Sequence, residues 1–470
     1  MLKFKSLSTN LNEITKYINY KANLLSDISL GFLLMWRKTI NARYAIYNDT
    51  LIFSIEKGEG YIFSYPLGKD IDGILNELVK YIKKYNLPLR FYALNNNELN
   101  YLKDFFKDDE LIYTYDNKYS DYIYSFESQL NFSGKKFKGQ RNHINKFNNL
   151  YSNVLHKPIT INDIDRINNM LKKYNLEHKR KSLMEKKELL GTKELINNFL
   201  NYNLVGTYIE YNNEIISFTI GEIINDLLII HVEKALTKYE GIYPKMYNSF
   251  INYIYTINKN IKYINREDNS GDLGIRMSKE QYHPINKEIK YQLHINKNKI
   301  NIKKDIILKN DNIRLSLINE NDKLDYYKLD IDDNINKYYG YDYKKDIYLD
   351  YPINEDSFYN SLLFDMNVSD SINFKITFEN KLVGEIILWH ITYNMTCEVG
   401  IRILSEYQNK GIGKKAFYLL SKYAYNELKL KPLAKCYKEN KQSYNMILKS
   451  NYKLVKEDKK YYYFEYKITV

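Results

Sequence analysis

Residues 405–417 read SEYQNKGIGKKAF and lie between a strand-like EVGIRI (398–403) and a helix-like KKAFYLLSKYAYNEL. This order of strand, glycine turn and helix is the tightest constraint the chain places on its own fold. Gly411 and Gly413 lack side chains, so backbone can approach a ligand there, and the first N–H groups of the following helix have no intrahelical partner. Such a turn suits a pyrophosphate. Glycines at a helix start also serve as plain turn chemistry, so context decides between the two readings. The strand before the turn ends the apolar run FKITFENKLVGEIILWHITYNMTCEVGIRIL (374–404), which reads as three antiparallel strands. A dinucleotide fold places its glycines after the first strand of a parallel βαβ unit, and a nucleotide P-loop requires GK[ST]. Neither pattern is met here.

The 470 residues are too many for one ordinary core and imply two or three domains. A net charge of +13 and a pI near 9.0 point toward a polyanion. That pointer is weakened because lysine, asparagine, isoleucine and the 49 tyrosines are spread along the whole chain. Only Cys397 and Cys436 are present, which excludes a disulfide framework or a cysteine-rich zinc site and suggests a reducing cytoplasm. The histidines form no HExxH pair, so a metal enzyme is not expected. The start MLKFKSLSTNLNEITKYI lacks a signal-peptide core, and the strongest apolar run, ISLGFLLMW (28–36), stops at Arg37. No bilayer anchor is expected.

The polar stretch HINKNKINIKKD (294–305) is followed by a fresh strand-then-helix pattern, so a boundary is expected near residue 303. Before it, TLIFSIE and GYIFSYPLG read as a hairpin, GILNELVKYIKKY as a helix and LRFYAL as a strand. LVGTYIEYNNEIISFTIGEIINDLLIIHVEKA (204–235) then gives three strands, and YPKMYNSFINYIYTI a helix. After it come a strand at 312–317, helices, the three strands above, a helix at 413–429, a strand around LAKCYK, a helix at 441–450 and closing strands. The fold class is mixed α/β.

The C-terminal part, 304–470, resembles the GNAT superfamily of acyl-coenzyme A N-acyltransferases. The resemblance rests on Gln408, Gly411 and Gly413 in a Q/R-x-x-G-x-G/A turn, on EVGIRI before it, and on NKQSYNMILKSNY (440–452). It implies one complete GNAT fold and acetyl-CoA as cofactor. The strand backbone at Ile401, Arg402 and Ile403 would pair with the pantetheine arm. The turn Gln408, Asn409, Lys410, Gly411, Ile412, Gly413, Lys414 would wrap the diphosphate, and Asn440 with Ser443 would lie near the thiol end. A strand edge offers regularly spaced N–H and C=O groups to such an arm, and one N–H aimed at the thioester can hold an oxyanion. Direct attack needs a neutral amine. A lysine-like amine is neutral in only about four molecules per ten thousand at pH 7, an α-amine in roughly one in seven. A carboxylate, direct or through water, must take the proton. Glu398 is the first candidate and Glu385 the second; each reads equally as a salt-bridge partner on a sheet face. The tyrosine that serves many relatives as acid is replaced by Ile447, with Tyr444 one turn earlier, and Asn451 and Tyr452 stand for the family's Gly-Phe. Cys397 and Cys436 read as core residues.

In the N-terminal part three polar signatures stand out: LNFSGKKFKGQRNHINKF (130–147), IGEIINDLLIIHVEKA (220–235) and YINREDNSGDLGIRMSKEQYHP (263–284). His231, Glu233, Lys234, Arg266, Glu267, Asp268, Asp272, Arg276 and Lys279 sit at the ends of very apolar runs, where burial forces pairing. They form either an ion-pair network or a binding pocket. These signatures, with MWRK (35–38), YPLG (65–68) and DYIY (121–124), resemble the DUF2156 family, soluble relatives of the C-terminal domain of phosphatidylglycerol lysyltransferases. The resemblance implies two GNAT-like folds in tandem over 1–303, meeting near Tyr124, and an aminoacyl-tRNA as a partner. Lys135, Lys136, Lys138 and Arg141 lie on a predicted helix whose buried side carries Phe137, Ile144 and Phe147. They read as contacts to acceptor-end phosphates or as an ordinary lysine-rich face.

Three readings follow. One is an acetyl-CoA-dependent N-acetyltransferase whose N-terminal domain binds or selects an acceptor amine. The second is an aminoacyl-tRNA-dependent transferase acting through the N-terminal domain. The third is a non-catalytic binding protein built on degenerate acyltransferase folds.

Overall fold

In the computed structural model of the chain, the described residues are 1–7, 11–57, 60–178, 183–202, 204–339, 355–356, 359, 362–363 and 371–468. The first run of strands is β1 (Lys5–Ser6), β2 (Arg43–Tyr47), β3 (Thr50–Lys57), β4 (Gly60–Phe63), β5 (Leu67–Gly68), β6 (Leu89–Leu94) and β7 (Glu110–Thr114). The second is β8 (Asp121–Ser125), β9 (Leu155–Pro158), β10 (Leu204–Tyr211), β11 (Glu214–Ile224), β12 (Leu227–Ala235), β13 (Tyr263–Asn265), β14 (Asn286–Glu288) and β15 (Tyr291–Asn296). The third is β16 (Ile307–Asn310), β17 (Ile313–Leu317), β18 (Ser371–Phe378), β19 (Lys381–Trp389), β20 (Thr396–Ile403), β21 (Lys431–Tyr437), β22 (Tyr452–Glu457) and β23 (Tyr461–Tyr466).

They build three sheets of one plan: β1-β2-β3-β4-β6-β15-β7 with β5 on β3, then β14-β8-β13-β12-β11-β10-β9, then β16-β17-β18-β19-β20-β21-β23-β22. In each, one parallel pair (β4 with β6, β12 with β13, β20 with β21) interrupts antiparallel neighbours. A parallel pair needs a crossover. The helices Ile71–Tyr85, Ile242–Ile257 and Ile412–Asn426 lie within those crossovers. The first shows why such a segment is helical: Ile74, Leu75, Leu78 and Ile82 recur on one buried face, Asp70 caps the start and left-handed Asn86 closes the end.

The first two units exchange strands. In the third sheet the strand between β21 and β22 is the unit's own β23. Between β6 and β7 lies β15, from the end of the second run, and between β13 and β14 lies β8, which follows β7 in the chain. If the chain is divided after β8, neither half can be removed without opening a gap in both sheets. The halves also share the largest apolar cluster, which joins Tyr44, Leu51 and Phe53 to Phe218, Ile220 and Ile229.

The third unit has its own core, including Phe374, Val383, Ile386, Leu420 and Phe464. Its β19–β20 loop docks on the first unit. Tyr393 is buried in the first unit's apolar cluster and donates to Asp109 at 2.7 Å, and Asn86 Nδ2 donates to Thr396 Oγ1 at 3.0 Å. The predicted strand 312–317 is β17, and an unforeseen β16 pairs with it as a hairpin. The predicted helix 413–429 ends at Asn426, where the chain turns through a left-handed Lys429. Part of the helical region expected after β17 lies outside the described residues.

Candidate active site

The three crossover helices start very differently. In the third unit β20 and β21 pair only through Thr396, Cys397 and Glu398. Beyond Glu398 they part, and the β21-side edge of Val399–Ile403 has no strand partner among the described residues. The chain then turns: Gln408 Nε2 donates to the Ile403 carbonyl at 2.9 Å, Asn409 is left-handed at φ 60, and so is Gly411 at φ 77. A Cβ on Gly411 would meet nothing within 4 Å among the described residues, so the turn is open toward them. Gly413 fits for another reason, since its Cβ would lie 3.0 Å from Met446 Sδ. The helix Ile412–Asn426 has no side-chain cap. Its free N–H groups, beside Lys410 and Lys414, suit an anion.

The first unit closes the equivalent position with its own charge. The Asp70 carboxylate accepts from Gly73 N at 3.0 Å. The second closes it with backbone: a Cβ on Gly241, at φ 81, would stand 2.4 Å from the His143 carbonyl of helix Lys138–Leu150. Among the described residues one open turn remains.

The structure separates the two candidate bases. Glu385 is 1% exposed and belongs to a buried network: it accepts from Asn373 Nδ2 at 2.6 Å, Tyr339 Oη at 3.3 Å and Arg402 Nε at 2.8 Å. Arg402 also donates to Asp330 at 2.5 Å and to the Asn336 side chain at 2.9 Å. Burial raises the Asp330 carboxyl to about 6, against the pull of Arg402. Glu385 is thus a buried counter-ion, and the Arg402 side chain is structural while its backbone lies on the open edge. Glu398 stands at the point where the strands part, with its carboxylate 3.5 Å from Lys435 Nζ.

Asn440 caps the helix Lys441–Leu448 by accepting from Ser443 N at 3.0 Å, and Asn409 accepts from Gln442 Nε2 at 2.9 Å. This ties the late helix to the turn. Ile447 is core, and Tyr444 packs tilted against Tyr462 and edge-on against Phe464. Cys397 and Cys436 are both buried, and burial pushes the Cys436 thiol up to about 11, so neither is a ready nucleophile.

The N-terminal signatures converge where β12 and β13 part after Ile229 and Asn265. His231 lies at a bulge in β12. Its Nδ1 is 2.8 Å from Glu267 and its Nε2 3.4 Å from Glu222, whose carboxylate accepts the Leu30 and Gly31 N–H groups. Burial disfavours the imidazolium, but the bonds to Glu222 and Glu267 outweigh it and raise the pKa to about 9. Arg266 binds Glu233 at 2.7 and 3.0 Å with its guanidinium over the rings of Tyr247 and Tyr282 at 4.4 and 4.5 Å. Lys234 pairs with Glu188 at 2.9 Å.

Much of the REDNSGDLGIRMSK signature is framework. Lys279 donates to the carbonyls of Arg266, Glu267 and Asp268, knitting the loop that carries the first two side chains. Burial lowers its ammonium to about 8. Asp272 caps helix Leu273–Glu280, and exposed Arg276 pairs with Glu280. Arg141 does not face outward as a free cation: it donates to the carbonyls of Phe132 and Gly134, pinning the loop, while Lys135 is exposed. Sequence reasoning missed Lys290, which is buried among Asp27, Asp121 and Asp268 at 2.7, 2.8 and 3.2 Å, and it missed Glu222. No local pattern marks either. Among the described residues no group of acids, histidines and cysteines is arranged to hold a metal ion, and no helix is long and apolar enough to cross a membrane.

Comparison with known proteins finds two matching families. Residues 22–294 match the family described as phosphatidylglycerol lysyltransferase, C-terminal, and residues 312–453 match the acetyltransferase (GNAT) domain. A solved protein of unknown function from Bacteroides thetaiotaomicron is 29% identical, with a TM-score of 0.56, over 63% of this chain and 100% of its own. The C-terminal domain (DUF2156) of a putative lysylphosphatidylglycerol synthetase from Agrobacterium fabrum is 11% identical with a TM-score of 0.45, covering 60% of this chain and 90% of its own. A GNAT-family acetyltransferase from Bacillus anthracis is 22% identical with a TM-score of 0.29, covering 34% and 97%. No curated protein matches. With more than half its length in the first match, the chain belongs to the family of phosphatidylglycerol lysyltransferase C-terminal domains, and it carries a GNAT acyltransferase domain after it.

Proposed function

We propose that residues 304–470 transfer an acetyl group from acetyl-CoA to a primary amine by direct attack in a ternary complex. Residues 1–303 bind or select the acceptor, which is a protein N-terminus, an amino acid or a small amine. The observation that carries this reading is the open edge Val399–Ile403 running into the open turn at Gly411. An amide-rich pantetheine arm fits such an edge, and a diphosphate fits an uncapped helix start. Ile401, Arg402 and Ile403 would offer their backbone, and Gln408 to Lys414 would hold the diphosphate. Glu398 would receive the proton of the attacking amine, and a strand N–H would hold the oxyanion of the tetrahedral intermediate.

Calorimetric titration of acetyl-CoA into the full chain tests the reading, alongside a Gly413→Glu variant. Binding by the native protein and loss of binding in the variant are expected. No binding by the native protein would overturn it.

A second reading is favoured by the first match itself and by the polar cluster at His231, Glu233 and Arg266: an aminoacyl-tRNA-dependent transfer at the N-terminal domain. It calls for tRNA binding that falls with salt and with loss of Lys135. Arg141 is a poor probe for it, because that side chain also holds its own loop.

A further inference from the structure

One guanidinium in the third unit carries two carboxylates. Arg402 on β20 donates Nε to Glu385 of β19 at 2.8 Å and Nη2 to Asp330 of helix Lys323–Ile331 at 2.5 Å. The three side chains are 2%, 1% and 6% exposed, and Arg402 is the only cation paired with either acid among the described residues. So deep a site disfavours the surplus negative charge, and one bound proton removes it. Asp330 is placed to hold that proton. Glu385 is engaged as an acceptor by Asn373, Tyr339 and Arg402, whereas the Asp330 carboxylate accepts from Arg402 alone among the described residues. Burial and the Glu385 charge hold the Asp330 carboxyl at about 6, against the pull of Arg402. The phenols of Tyr326 and Tyr339 also face the cluster, and burial raises both, so they stay neutral. Lys375 of β18, opposite Glu385, is paired with Asp322 at 2.8 Å.

The same cluster fastens helices Lys323–Ile331 and Asp333–Asn336 to the sheet. Arg402 Nη1 donates to the Leu329 carbonyl at 3.3 Å and to the Asn336 side chain at 2.9 Å. Asn336 Nδ2 in turn donates to the Leu329 and Asp330 carbonyls at 2.8 and 3.0 Å. Apolar packing adds little here: Tyr326 belongs to a small cluster with Ile318, Tyr359 and Leu362, apart from the core that holds Phe374, Val383 and Leu420. Tyr339 follows the second helix, and its ring lies 3.6 Å from the position a Cβ on Gly400 would take, in the middle of the open edge.

We propose that Asp330, Glu385 and Arg402 are a proton-operated latch: a proton on the carboxylate pair clamps the two helices onto β20, and its loss to solvent loosens them and bares Gly400. The proposal stands apart from the acetyl-CoA reading, and its test uses no cofactor. The sign follows from linkage. The Asp330 carboxyl holds its proton more tightly when docked than at its ordinary value of 3.8, so undocking releases a proton. Opening is therefore rarest in acid, climbs as pH rises from about 4 to about 6, and levels off above.

Amide hydrogen exchange of the full chain, corrected for intrinsic rates and followed between about pH 4.5 and about pH 7.5, tests the latch. Opening of the two helices is expected to rise roughly twentyfold over that range. No such rise is expected in helix Ile412–Asn426, which packs in the main core. Asp330→Asn keeps an acceptor for Arg402 and removes the surplus charge, so opening of the two helices should no longer depend on pH. Glu385→Gln removes that charge from the other side and is expected to act alike. A slope in Asp330→Asn equal to the native one would overturn the proposal. A native chain whose helix opening is flat across the range would overturn it as well, and that result needs no variant to fold. So would an equal rise in Ile412–Asn426, because the unit would then open as a whole rather than at the latch.

Discussion

The starts of helices Ile242–Ile257 and Ile412–Asn426 follow from the same plan of strands, and each begins at a left-handed glycine. At Gly241 the position a Cβ would take is filled by the His143 carbonyl; at Gly411 none of the described residues fills it. The same architecture therefore fills the space at one helix start and, among the described residues, leaves it open at another, and the helix Lys138–Leu150 makes the difference. Fold alone does not say which unit holds a ligand; what stands before the helix start does.

The contrast extends to buried charge, and it can be tested. The largest effect is expected in the third unit. Arg402→Ala leaves Glu385 and Asp330 buried without their counter-ion and should destabilise the unit by about 3–5 kcal/mol. The chain has two tryptophans, so urea unfolding of a Trp36→Phe background reports Trp389 alone. An unchanged midpoint would show the network to be dispensable.

In the second unit the charge at stake is a proton. His231 has a folded pKa of about 9, above the ordinary value of 6.5. Its contribution to stability is full below pH 6.5 and is lost as pH rises through about 9, by up to about 3 kcal/mol. His231→Gln should remove that slope from the Trp36 signal.

The two glycines give the sharpest comparison. Gly241→Ala suffers both backbone strain and the clash with His143 and should cost about 2 kcal/mol. Gly411→Ala suffers strain alone and should cost about 1 kcal/mol. Equal thermal shifts would show that the turn at 241 is not filled. The smallest effect is expected in the first unit, where Asp70→Ala removes a helix cap worth about 1 kcal/mol.

Features made by neighbouring residues were legible in the sequence. The Gln408 to Gly413 turn and the helix that follows Asn440 depend on residues within a few positions of each other, and the three-strand run 204–235 has turns at its polar breaks. The side-chain role of Arg402 was not legible, because Asp330 and Glu385 reach it from two other elements. The same holds for Lys290, whose partner Asp121 is brought to it by the exchange of β8 and β15 between sheets and whose partner Asp27 comes from the segment before helix Leu30–Trp36. Chain topology, rather than local periodicity, assembles such contacts. The filling of the turn at Gly241 is of the same kind, since His143 belongs to a helix nearly a hundred residues earlier.

The central claim is that, of the three crossover-helix starts, the one at Gly411 binds coenzyme A. Amide hydrogen exchange of the full chain with and without acetyl-CoA tests it most directly. Slower exchange confined to 399–403 and 409–415 is the expected result. Slower exchange at 230–235 and 241–246, with none at 409–415, would contradict the account.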